Sequence, residues 1–146
     1  MVSPQAATVV MVGFAEKDRD YLQRLLNGAE GALGADFRWA VQTKGSVAAA
    51  LSALRRDPVG VMLCDRDEFP DEWKELLSHF AYLSAPPCLI VTSRLADDIL
   101  WAEALNLGAY DVLALPFDRD EVVRTVTLAH SHWQGPSHPQ AARSVA

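Results

Sequence analysis

Cysteine is scarce in this chain: only Cys64 and Cys88 occur in 146 residues. Both sit inside apolar runs, "VMLCD" and "CLIV", where a free thiol behaves as a small buried hydrophobe, so no disulfide framework or cysteine metal site is expected. Positive charge is also short. Thirteen Lys and Arg stand against nineteen Asp and Glu, a net charge of −6. With an isoelectric point near 5.1, no uniform field draws this surface to nucleic-acid phosphates or anionic lipid, and neither partner is expected. Long hydrophobic runs are missing as well. Residues 7–14 and 88–91 fall far short of the roughly 20 apolar residues of a spanning helix, and the opening residues lack the basic-then-apolar order of a signal peptide. A cytoplasmic protein is the expectation. The glycines match neither Gly-x-x-x-x-Gly-Lys-Ser/Thr nor Gly-x-Gly-x-x-Gly, which removes the two common phosphate loops. No Ser-His-Asp or Cys-His set can be placed, no flavin site declares itself, and an enzyme is not expected.

What is present is half apolar with a mean hydropathy of +0.04, enough for one domain with a sizeable core. Strand and helix patterns alternate along it. Residues 8–14 form a continuous apolar run, as in a strand covered on both faces. A helix over 18–27 carries Tyr21, Leu22, Leu25 and Leu26 and closes at Gly28. Residues 37–43 alternate apolar and polar, which suits an edge strand. Ser46 caps a helix over 47–56 that Asp57-Pro58 ends. A strand follows over 59–65. Pro70 starts a helix with Trp73, Leu76, Leu77 and Phe80, and Pro86-Pro87 stops it. A strand over 88–93, a helix over 95–107 closing at Gly108, and a strand over 110–115 complete the pattern before a last helix. Asp118 with Glu121 resembles a capping box there, and Val122, Val123, Val126 and Leu128 supply its apolar face. The expected organisation is an N-terminal extension over 1–6, one folded domain over 7–133, and a disordered Gly-, Pro-, Ser- and Ala-rich tail over 134–146.

Helical connections exclude antiparallel hairpins, and right-handed crossovers then give a parallel sheet with helices on both faces. The predicted fold is α/β, a doubly wound (βα)5 flavodoxin-like sheet in the order 2-1-3-4-5. In such folds function sits at the carboxyl ends of the strands. The third strand ends there on an acid. Asp65 closes the run "VMLCD", and ending a buried strand on a carboxylate is costly without a partner. The Thr92 hydroxyl, backbone amides of the following loop, Arg66 and Arg94 are the candidates, with Arg94 the most attractive. Asp67, Glu68, Asp71 and Glu72 read more simply as a solvated loop and an acidic helix start.

"VMLCD", "LIVTSR" and above all "GAYDVLALPFDRDEV" carry a resemblance to the receiver domain of two-component response regulators, over about residues 7–132. The resemblance implies that Asp65 is the phosphoacceptor, Thr92 the switch hydroxyl, Pro116 a cis-proline and Phe117 its usual follower. It also implies Mg²⁺ held by an acidic pair after the first strand, and a lysine before the proline. The sequence departs from that pattern. Gly13 and Phe14 occupy the acidic-pair positions; the nearest carboxylates, Glu16 and Asp18, are better read as the start of the first helix, so a metal at Asp65 would be held only if Glu16 reached back. Leu115 replaces the lysine, and Val112 stands at the switch-aromatic position with Tyr110 as a stand-in on the same strand face. The loop before Pro70 is one residue longer than the pattern. These departures make Mg²⁺ binding doubtful and disfavour ordinary phosphotransfer.

The function this implies is a stand-alone response regulator receiver in two-component phosphorelay signalling, of pseudo-receiver type and acting through protein contacts. Arg94 paired with Asp65 would imitate a permanently engaged state. The alternatives are a conventional receiver phosphorylated on Asp65 and, more remotely, a small flavodoxin-like cofactor-binding enzyme. Expected partners are a histidine kinase or a downstream protein, and a second copy through the fourth helix, fifth strand and fifth helix. On that face the exposed apolar residues are sought among Trp101, Leu105, Tyr110 and Val123. Trp73 and Trp101 read as core more than as ligand platforms. His130, His132 and His138 read as frayed, solvated residues rather than a metal set.

Overall fold

A computed structural model describes residues 5–29 and 37–135. Its elements run β1 (Gln5–Val12), α1 (Glu16–Asn27), β2 (Phe37–Lys44), α2 (Val47–Arg56), β3 (Val61–Asp65), α3 (Glu72–Phe80), β4 (Cys88–Ser93), α4 (Asp98–Asn106), β5 (Asp111–Ala114) and α5 (Arg119–Gln134). Every sheet pairing is parallel, and the order is β2-β1-β3-β4-β5. This is the doubly wound flavodoxin-like sheet expected from the alternation of patterns.

Each central strand is apolar throughout because its two faces enter different cores. Val9, Met11, Leu63, Ile90 and Leu113 pack with Leu22 and Leu26 of α1 and with Val122 and Val126 of α5. Val10, Val12, Met62, Cys64 and Val91 pack with Ala50, Trp73, Leu76, Leu100 and Ala104 on the other side. Alternate side chains of a strand point to opposite faces, so a strand covered twice needs an unbroken apolar run. Both cysteines are free. Burial pushes the Cys64 thiol up to about 12 and the Cys88 thiol up to about 11, so both stay protonated.

Element ends differ from the sequence reading for local reasons. β1 stops at Val12 because Gly13 turns with φ +86°, in the left-handed region. It begins at Gln5, inside the segment expected to be an extension. α3 begins at Glu72, after a turn containing Pro70 and Asp71. α4 begins at Asp98 because the Asp97 side chain accepts the Leu100 amide at 2.9 Å and so fixes the N-cap. Ser46 and Asp118 cap α2 and α5 by accepting the amides of Ala49 and Glu121.

Four side chains lie elsewhere than the sequence suggested. His130 is not frayed: it is buried beside the rings of Phe37 at 4.5 Å, Trp133 at 5.5 Å and Trp39 at 5.7 Å. Trp101 is exposed, whereas Trp73 is core. Val123 is buried against the α1 and α5 core and is absent from the surface. Tyr110 does not share the face of Val112. It precedes β5, packs on the opposite core and meets the ring of His132 at 5.4 Å. His138 and most of the predicted tail lie outside the described residues.

Candidate functional site

Parallel pairing brings the ends of β1, β3, β4 and β5 to one edge. Asp65 is the register partner of Thr92, and Thr92 that of Leu113. A cavity of about 530 Å³ opens there, with Asp65, Asp67, Arg94, Leu115 and Phe117 among its walls.

Asp65 is only 8% exposed. Its Oδ1 accepts the Thr92 hydroxyl at 3.2 Å and the Asp67 amide at 3.3 Å. Burial raises its carboxyl above the ordinary value; the Asp67 amide and the Thr92 hydroxyl oppose that rise, and the charges of Asp67 and Glu68 add to it. Arg94 does not neutralise it. Among the described residues Asp65 has no cation within 4.0 Å.

Arg94 instead meets Asp67. The Arg94 amide donates to Asp67 Oδ2 at 2.7 Å, and the Ser93 hydroxyl donates to Asp67 Oδ1 at 2.7 Å. Burial on its own would raise the Asp67 carboxyl, but the Arg94 amide, the Ser93 hydroxyl and the charges of Arg66 and Arg94 hold it below the usual carboxylate value. Asp67 therefore ties the loop after β3 to the end of β4, where the sequence suggested only a solvated acid. The Arg66 amide adds a backbone tie to the Thr92 carbonyl at 2.8 Å.

The acidic-pair positions hold apolar matter. A Cβ on Gly13 would lie 2.9 Å from the Phe69 ring, so Phe69 from the loop after β3 closes directly over that glycine. Phe14 stacks with Phe117, centroids 6.3 Å apart. Leu115 precedes a cis peptide bond to Pro116. Glu16 is 82% exposed in its side chain and faces Arg19 at 4.0 Å.

Mg²⁺ requires several oxygen ligands in near-octahedral array. Among the described residues no three His, Cys, Asp or Glu side chains gather to hold a metal. Both Asp67 oxygens are engaged, and the acidic-pair positions carry a hydrogen and a phenyl ring. The residues present do not fit the ion. Leu115 stands where the lysine would be, and among the described residues no lysine lies within 4.0 Å of Asp65; Lys74 pairs with Glu103 at 2.9 Å instead.

No family sequence model matches the chain, and no curated protein matches it. Solved structures do. The receiver domain of Francisella response regulator 1452 superposes with a TM-score of 0.66 at 18% identity, covering 86% of this chain and 98% of that one. A response regulator receiver protein from Burkholderia phymatum gives 0.66 at 21% identity, with coverages of 86% and 95%. The signal receiver domain of an HD domain-containing protein from Pseudomonas fluorescens Pf-5 gives 0.64 at 19% identity, covering 89% and 98%. This is the receiver fold. On that fold the chain places an acid at the end of β3 and a hydroxyl at the end of β4, side by side, and surrounds them with Phe14, Phe69, Leu115 and Phe117. The Phe69 closure and the Asp67 tie were missed in the sequence. The extra loop residue before Pro70 was the one signal that pointed to them.

Proposed function

We propose that this chain is a pseudo-receiver: a receiver-fold signalling domain that works by protein contact and whose β4–α4 loop is held by an internal carboxylate rather than by a phosphoryl group. One observation carries this reading. Asp67 gives its two oxygens to the Ser93 hydroxyl and the Arg94 amide, so the end of β4 already has an anion to hold. A phosphoryl group on Asp65 would arrive without a lysine or a metal to balance its charge, beside the carboxylates of Asp67 and Glu68.

The contact surface follows from exposure. Leu95, Ile99, Trp101 and Leu107, in and around α4, are exposed at 63%, 79%, 51% and 49%, and Leu128 of α5 adds to them. Exposed apolar residues grouped in this way mark interaction sites. The partners this reading implies are a histidine kinase or a downstream signalling protein, and a second copy through the α4–β5–α5 face. Among the described residues no helix is long and apolar enough to cross a membrane.

The register pair Asp65–Thr92 favours a second reading, a conventional receiver phosphorylated on Asp65. Amide hydrogen exchange at Arg94 and Leu95 separates the two. The pseudo-receiver predicts protection that Mg²⁺ with acetyl phosphate leaves unchanged and that Asp67→Ala removes. Protection altered by the donor and indifferent to Asp67→Ala would overturn it.

A further inference from the structure

The opposite end of the sheet holds a second cavity, of about 690 Å³, a volume typical of small-molecule sites. It lies between the C-terminal ends of α2 and α3 and the end of α5. Leu51, Leu54, Val59 and Trp133 line its apolar part. The Trp133 indole N–H donates to the Ala85 carbonyl at 3.3 Å and so fixes that wall. On the lip, Tyr82 and Leu83 remain 90% and 40% exposed.

Arg55, Arg56 and His79 also line this cavity. Neither guanidinium has a carboxylate oxygen within 4.0 Å among the described residues. Among the described residues Arg55 donates to the Ser52 hydroxyl, at 3.1 Å. Asp57 is the single acid in the lining. In a chain of net charge −6, two adjacent arginines without carboxylate partners are a local reversal of sign. Arginine at the end of α2 complements the helix dipole, which accounts for the charges but not for the apolar cavity beneath them.

We propose that this groove binds a small amphipathic anion. Its aromatic or aliphatic body lies against Leu51, Leu54 and Trp133, and its carboxylate, sulfonate or phosphate head is held by the guanidiniums of Arg55 and Arg56. A planar guanidinium matches such a head with two parallel hydrogen bonds. The inference is independent of the Asp65 edge, since β3 begins beside this groove and ends at that acid.

The test is titration of the full chain with anilinonaphthalene sulfonate, read by probe fluorescence. The expected result is one saturable site that weakens about tenfold or more in Arg55→Gln/Arg56→Gln, since the charge-assisted contacts of both guanidiniums are lost. Leu83→Asp should weaken it too, while Arg119→Gln, a charge removed elsewhere, should leave it unchanged. These residues are surface or lip positions, and circular dichroism reports that each variant is folded. Equal affinity in the double arginine variant would overturn the proposal, because the groove would then be merely apolar. A loss of the same size in Arg119→Gln would also overturn it, since binding would follow overall charge. Binding to phosphatidylglycerol vesicles without binding of the soluble probe would overturn it in favour of a membrane surface.

Discussion

The Asp67 carboxylate accepts the Ser93 hydroxyl at 2.7 Å, across the gap between the β3–α3 and β4–α4 loops. The Arg94 amide completes the clasp on the other oxygen. An acid near the end of β3 thus holds the segment after β4 without any added group.

Asp67→Ala should cost about 1–2 kcal/mol in urea unfolding, since two charge-assisted bonds are lost at a side chain that is one-third exposed. Ser93→Ala should cost less, because the Arg94 amide keeps its partner. Equal stability of Asp67→Ala and the parent would remove the clasp as a structural element.

Gly13→Ala should be destabilising by about 1–3 kcal/mol, because φ is +86° and the new methyl meets the Phe69 ring at 2.9 Å. Gly45 has nothing within 4 Å of its own virtual Cβ, and Gly45→Ala should stay within about 0.5 kcal/mol of the parent. Thermal unfolding of the pair isolates the Phe69 closure from a general glycine effect.

Burial holds the His130 imidazole at a pKa of about 4, down from 6.5. Among the described residues neither ring nitrogen has a hydrogen-bond partner. Between those two values the unfolded chain binds a proton that the folded chain refuses, so stability rises with pH across that window and levels off above it. The full effect is on the order of 3 kcal/mol. Carboxylates titrate over part of the same range, so the measurement is the difference in urea midpoint between parent and His130→Phe from acid to neutral pH. A constant difference would contradict a neutral, buried His130.

Ile99→Ser/Trp101→Ser should leave the unfolding midpoint within about 0.5 kcal/mol of the parent, since both side chains are more than half exposed. Sedimentation at rising concentration should show the parent associating and the double variant remaining monomeric. A parent that stays monomeric throughout would count against self-association through α4.

Much of this architecture could be read from local pattern. The unbroken runs of β1, β3 and β4 announce strands covered on both faces, and Ser46 and Asp118 sit at their helix starts as caps should. The Asp65–Thr92 pairing follows once parallel order is assumed, because both residues end neighbouring central strands. The Asp67–Ser93 bond joins positions 26 apart in the sequence, and no periodicity reports a loop-to-loop contact. Tyr110 changed faces because the strand starts one residue later than its apolar run suggests, so alternation does not reach it. His130 was legible in principle: with Val122, Val126, Ala129 and Trp133 it falls on the helical stripe of α5, but the flanking Ser131 and His132 masked the pattern.

The central claim is that Asp65 is not a phosphorylation site and that Asp67 replaces the phosphoryl anion. Its most direct test is incubation of the chain with Mg²⁺ and acetyl phosphate, read by intact mass, with Asp65→Asn in parallel. The account predicts no phosphate-sized gain in either protein. A gain in the parent that is absent from Asp65→Asn would contradict it and make this a working phospho-switch.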